Sequence, residues 1–292
     1  MLQITSNHHF NGQSTVKELQ NVHNAYLKMM EVEQGVLGAW HFGSVARGTM
    51  DEFSDIDIVF LVEEASFSSV DQNLSQILGK VCDEVVLCWP ESFNSEAIKN
   101  YGYVIKHHQK LFQYDVFLLN MGQIDDFMCQ IHYRDLKTHD IVFSKDGSVE
   151  ALIQKEIKGR LWQDDISKLI TTYWFHLHMS SKYFVRKDFF KLESVLRILM
   201  DTHTSLLLTA YDKITWGGSA NKLHFIDKEK QMHLMKYGCV EDFVIVRNNL
   251  KQAMEWFIDD VREVGGIKEV GFNESVFNDI KRDWLNSTGA IL

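Results

Sequence analysis

The chain has 292 residues, is 45% hydrophobic and 24% charged, and carries a formal net charge of −10. That length leaves room for two ordinary domains with a sizeable core, and the composition excludes a disordered or fibrous chain. No run of about 18 apolar residues occurs, so no membrane span is expected. The opening M-L-Q-I-T-S-N-H-H-F has neither the basic start nor the apolar run of a signal peptide, so a cytoplasmic location is expected.

The charge is unevenly placed. Residues 1–150 hold 21 Asp and Glu against 10 Lys and Arg, a net of −11, while residues 151–292 come to +1. A long nucleic-acid track needs a basic stripe, which this half lacks. An acidic half fits a metal–nucleotide site and tolerates a cationic small substrate. Cys82, Cys88, Cys129 and Cys239 form no C-x-x-C pair, so neither a zinc ribbon nor a redox motif is supported, and buried free thiols are expected.

In chain order, Val16, Leu19, Val22, Tyr26 and Met29 recur at spacings of 3, 3, 4 and 3 behind a capping-box pattern at Thr15–Glu18. They predict an amphipathic helix over 14–32. An apolar strand follows at 36–42, then Gly43-Ser44 and one helical turn. A polar loop leads to a second strand at 55–63. Val70, Leu74, Ile77 and Leu78 predict a helix over 69–80. The run 81–89 reads as part strand, stopped at Pro90, with a second short helix over 91–100. Residues 103–109 and 111–120 read as a tight antiparallel pair, 121–134 as helix, and 139–147 as a last short strand and turn.

From about 151 the periodicity turns helical. Ile166, Leu169, Ile170, Tyr173, Trp174 and His178 mark one helix. Phe189, Leu192, Val195, Leu196, Leu199 and Leu206 mark another. Phe243, Val246, Leu250, Met254, Phe257 and Val261 mark a third, with a turn at Trp216-Gly217-Gly218-Ser219.

The chemistry concentrates at 43–57. Ten residues separate Ser44 from Asp55, and one separates Asp55 from Asp57. Residues two apart in a strand face the same way, so the two carboxylates share a face. Two such charges repel unless a cation lies between them, and acidic oxygens with open positions suit Mg²⁺ completed by nucleotide phosphates. Gly43-Ser44, just before a helical turn, offers backbone N–H groups and a positive dipole end to a phosphate.

The pattern G-S-x10-D-x-D resembles the signature of the nucleotidyltransferase superfamily, the polymerase β-like group, and within it the aminoglycoside and lincosamide enzymes, especially the streptomycin-modifying branch. The resemblance implies an α+β fold. A small mixed β-sheet catalytic domain with flanking helices would span 1–150, and an all-α helical bundle that binds the substrate would span 151–292. It implies Asp55 and Asp57 as metal ligands and Gly43 and Ser44 as the phosphate turn. Asp115, a carboxylate in an otherwise apolar strand, is the third acid by position and context, as metal ligand and general base. Asp188 and Glu193 are alternative bases from the helical half, although both also fit a solvated helix face. Arg47, one turn from Ser44, can reach a phosphate, and Lys182 is similar to lysines that touch the triphosphate.

The reaction implied is transfer of a nucleoside monophosphate, AMP first, from Mg²⁺-bound NTP (two ions, ATP or another NTP) to a hydroxyl of a small molecule such as an aminoglycoside or lincosamide. Two alternatives belong to other classes. One is a protein- or RNA-directed adenylyltransferase of the antitoxin kind. The other is a nucleotide-binding regulatory module without turnover, against which the presence of all three aspartates counts.

Overall fold

A computed structural model describes residues 12–51, 53–156, 165–210, 219–238 and 242–289. The expected turn at 216–219 and Cys239 fall wholly or largely outside these residues. The chain divides into two compact units, Met1–Gly159 and Arg160–Leu292.

The first unit is a mixed six-stranded sheet with helices. The elements are α1 (Gly12–Val32), β1 (Val36–Phe42), α2 (Gly43–Ala46), β2 (Ile56–Val62), α3 (Phe67–Leu78), β3 (Glu84–Pro90), β4 (Ile98–His107), β5 (Lys110–Asn120), α4 (Phe127–Tyr133), β6 (Ile141–Ser144) and α5 (Glu150–Ile153). The sheet order is β3-β4-β5-β2-β1-β6. Among the described residues only β2 and β5 pair in parallel; the other neighbours are antiparallel.

One sheet face carries Tyr103, Ile105, Tyr114, Val116 and Leu118, buried in one cluster with Leu19, Val22, Tyr26 and Met30 of α1 and Val70, Leu74 and Ile77 of α3. Each such side chain contributes about 1.5–3 kcal/mol through burial. That packing holds the sheet; the opposite face buries Val59, Leu61, Phe117 and Leu119 and carries its acids nearer the start of β2 and in β5.

Four local expectations change. Residues 91–97 are not helical, and β4 starts at Ile98. Asn94 gives the reason: its Oδ1 accepts from the Asn100 N–H at 2.7 Å and its Nδ2 donates to the Asn100 carbonyl at 3.0 Å. Such side-chain bonds compete with a helix for the same backbone groups. The segment 121–134 splits into a 3₁₀ turn and α4, because Asp126 accepts from the Met128 N–H at 2.8 Å and caps a new start. Thr15 lies inside α1, which already runs from Gly12, and Glu18 pairs instead with Lys110 at 2.9 Å. Among the cysteines, Cys129 is buried, donating its thiol to the Ala97 carbonyl, whereas Cys88 is exposed on the edge strand rather than buried.

The second unit is helical among its described residues: α6 (Ile166–Arg186), α7 (Phe189–Thr209), α8 (Lys228–Leu234), α9 (Phe243–Lys268) and α10 (Glu274–Gly289), with short 3₁₀ turns at Ser219–Phe225 and Met235–Tyr237. Asp165, Asp188, Asp227 and Asp242 each cap a helix start. Lys187, in the left-handed region, separates α6 from α7. The core includes Tyr173 stacked on Phe257, and Trp284 donating to the Ser180 hydroxyl at 2.8 Å. No described helix is long and apolar enough to cross a membrane.

Candidate active site

The end of β1 lies against the start of β2, with Phe42 paired to Asp57. The next residue, Gly43, has φ +62, and a Cβ there would lie 1.8 Å from Asp57 Oδ2. Glycine is therefore required twice, for the left-handed backbone and for the close approach of the turn to the carboxylate. The following Ser44 has a hydroxyl shielded from solvent and without a protein partner. A buried polar atom left unpaired is costly, so this one is suited to an incoming acceptor oxygen. The helix α2 has only four residues, too few for an appreciable dipole, and no side chain caps its start. The contribution of this turn is backbone and hydroxyl rather than the dipole expected from sequence.

Asp55 stands one residue before β2, Asp57 is inside it, and Asp115 on β5 is the direct parallel neighbour of Asp57. One oxygen of each lies within 4.8 Å of the other two. All three are half-buried. Burial first, then the charges of Asp55 and Asp115, push Asp57 up to about 7, against a smaller opposing pull from Arg47. Burial also pushes Asp115 up to about 6, with Asp55 and Glu91 adding to the rise and Gln113 opposing it. Three like charges at this separation, without a bound counter-charge, cost free energy that a divalent cation would return. The donor set is all carboxylate oxygen, which fits a hard cation.

The apolar neighbours of Asp115 in sequence, Tyr114 and Val116, point to the other face of the sheet. On its own face it meets Asp57, Gln113 and Gly102. Gln113 Nε2 donates to Asp115 Oδ2 at 2.8 Å. Gly102 on β4 faces Asp115, and a Cβ there would approach Oδ1 to 3.0 Å. Neither Gln113 nor Gly102 was picked out from sequence, nor was Glu91. The Tyr101-Gly102-Tyr103 interruption of a strand was the available signal, since glycine in a strand interior often marks a close approach.

The remaining expected residues sit as follows. Arg47 is exposed at the end of α2, near enough to act on Asp57. Lys182 is exposed on α6. Asp188 caps α7, accepting from the Lys191 N–H at 3.3 Å and pairing with its ammonium at 3.1 Å, which holds its carboxyl below the usual range. Glu193 pairs with Arg197 at 2.7 Å. The structure brings together Gly43, Ser44, Asp55, Asp57 and Asp115. It gives Asp188 and Glu193 local partners within the helical unit.

Residues 25–145 match the family model described as a nucleotidyltransferase domain. No curated protein sequence matches the chain. Among solved structures, an aminoglycoside 6-adenyltransferase from Bacillus subtilis is similar at 13% identity and TM-score 0.42, covering 94% of this chain and 98% of that one. A nucleotidyltransferase-like protein from Exiguobacterium sibiricum 255-15 is similar at 8% identity and TM-score 0.35, covering 94% and 77%. A STING-associated c-di-GMP synthase from Capnocytophaga granulosa is similar at 14% identity and TM-score 0.28, covering 96% and 80%.

Proposed function

We propose that this chain, whose residues 25–145 match a nucleotidyltransferase domain, transfers a nucleoside monophosphate, AMP first, from Mg²⁺-bound NTP to a hydroxyl of a small molecule. The observation that supports this most is the meeting of three carboxylates within 4.8 Å, beside a glycine pressed onto Asp57 and a buried, unpartnered Ser44 hydroxyl.

In this proposal Asp55, Asp57 and Asp115 hold the magnesium, as two ions, and Gly43, Ser44 and Arg47 hold the triphosphate. When bound, the metal neutralises charge on the transferring group and on the departing pyrophosphate. Asp115 removes the acceptor's proton as its oxygen bonds to the α-phosphorus and the bond to pyrophosphate breaks. Gln113 Nε2 donates to its Oδ2 at 2.8 Å and so fixes the orientation of the carboxylate. Burial raises its basicity above that of an ordinary carboxylate while leaving it mostly ionised at neutral pH. Asp188 and Glu193 are the alternative bases in this proposal; in the structure Asp188 caps a helix and Glu193 pairs with Arg197.

The domains are proposed as catalytic over 1–150 and acceptor-selecting over 151–292. A cytoplasmic setting follows from the need for NTP. An aminoglycoside or lincosamide is the acceptor class to test first, with antibiotic resistance the corresponding role. The test is incubation with each labelled NTP, Mg²⁺ and an acceptor panel. Label in an aminoglycoside or lincosamide supports the proposal. Pyrophosphate release absent with every NTP and acceptor, and unchanged in Asp55→Asn and Asp57→Asn, rejects it.

A further inference from the structure

The site face of the sheet continues past Asp115 toward the edge strand. Asp115 pairs with Gly102, and Gly102 pairs with Trp89 on β3. Cys88 pairs with Tyr103, whose side chain lies on the packed face, so its neighbour Trp89 points to the site face. Gly102 has no side chain to stand between Trp89 and Asp115. Trp89 is 64% exposed, and Leu87, two residues along the same face, is 54% exposed. Large apolar side chains on a bare edge strand are normally avoided unless something covers them. Glu91, two residues beyond Trp89, donates its backbone N–H to the Asn100 carbonyl at 3.1 Å, so the chain just past β3 still runs beside β4.

Position decides what covers this patch. The phosphate turn Gly43-Ser44 sits at β1, on one side of the carboxylates, whereas Trp89 sits at β3, on the other. An in-line displacement brings the attacking hydroxyl from the side opposite the leaving pyrophosphate. The β4–β3 side is therefore the acceptor side. Charge decides the chemistry. An indole face attracts cations, Glu91 adds a carboxylate, and residues 1–150 carry a net charge of −11.

Resting on the function proposed above, we infer that Trp89 and Glu91 form the acceptor subsite of this unit, holding an ammonium-bearing, hydroxylated ring on the indole with one hydroxyl turned to Asp115. Trp89 is a specificity-determining residue in this scheme, and Glu91 pairs with the ammonium.

The test uses full-length protein with ¹⁵N-labelled tryptophan, the Trp89 indole signal being assigned from Trp89→Phe. With Mg²⁺ and α,β-methylene ATP present, 2-deoxystreptamine and glucosamine are titrated against their neutral counterparts, myo-inositol and glucose. The aminated rings are expected to shift the Trp89 signal and the neutral ones to leave it in place. Glu91→Gln is expected to weaken the aminated rings about tenfold without changing nucleotide affinity. A Trp89 signal unmoved by both aminated rings, or moved equally by charged and neutral rings, overturns the inference. Failure of the underlying function reads out separately, as loss of Mg²⁺-dependent analogue binding in the wild type. For any acceptor found in the transfer assay, Trp89→Ala raises the acceptor KM about tenfold and leaves the NTP KM unchanged. An unchanged acceptor KM rejects the subsite.

Discussion

One buried acid of the helical unit and three half-buried acids of the sheet unit behave in opposite ways. In the helical unit, burial works against the charge of Asp260, yet bonds from His203 at 2.8 Å and Lys230 at 2.8 Å outweigh it and hold its carboxyl below the usual range. His203, its own pKa lowered by burial, bonds Tyr237 through its other nitrogen. That network is closed: its members satisfy one another. In the sheet unit, Asp55, Asp57 and Asp115 face one another, and the last two are pushed up to about 7 and about 6. The same residue type is complete in one place and incomplete in the other. An acid paired with a cation of its own chain supports the fold, whereas acids that face one another without a close counter-charge suit a cationic ligand.

The largest expected effect separates the two groups outright. Asp55→Asn or Asp57→Asn should reduce nucleotidyl transfer by about 10³-fold or more while the protein remains folded, as followed by pyrophosphate release and thermal melts. Asp260→Ala should leave divalent-metal affinity unchanged but destabilise the chain by about 1–3 kcal/mol, because buried His203 loses its acceptor while Lys230 keeps Glu263. Denaturant unfolding measures this. A metal-binding defect in Asp260→Ala would break the comparison.

Gly43→Ala tests the close approach. Its methyl would meet Asp57 at 1.8 Å in a backbone region unfavourable to alanine, so kcat should fall about 100-fold. Gly102→Ala crowds Asp115 less, at 3.0 Å, and a loss of about fivefold is expected in the same assay.

The pH dependence sharpens the contrast. Asp57 has a folded pKa of about 7, above its ordinary 3.8. The metal-free folded chain therefore binds a proton more tightly than the unfolded chain. The resulting stability is fully present below about pH 4 and is lost as pH rises through about 7. In EDTA, Asp57→Asn should melt about 5 °C above wild type at pH 8, with the gap closing toward pH 5. Equal melting at pH 8 would mean that the triad is not under strain from its charges. Metal affinity should change the opposite way, strengthening about tenfold per proton released as pH rises from 5.5 to 7 and levelling off above, which calorimetry can follow.

Much of this was legible locally. The β1–turn–β2 unit follows from apolar runs interrupted by Gly43-Ser44, and Asp55 and Asp57 share a face because the strand period is two. The second unit's helices were readable from their 3.6-residue spacing. The misreadings at 91–97 and 121–126 share a cause. Asn94 and Asp126 took over backbone partners through their side chains, which a hydrophobic pattern does not register.

The sequence by itself determined the turn, the paired acids and the alternation of β and then helical periodicity, because each depends on neighbours a few residues apart. Tertiary structure alone decided that Asp115, 58 residues beyond Asp57, lies in register beside it through a parallel pair. It also decided that Gly102 clears the space next to that carboxylate, that Gln113 occupies one of its oxygens, and that Trp89 faces the same side. Strand order and register arise from the packing of the whole sheet on α1 and α3, and no short window of sequence contains that information.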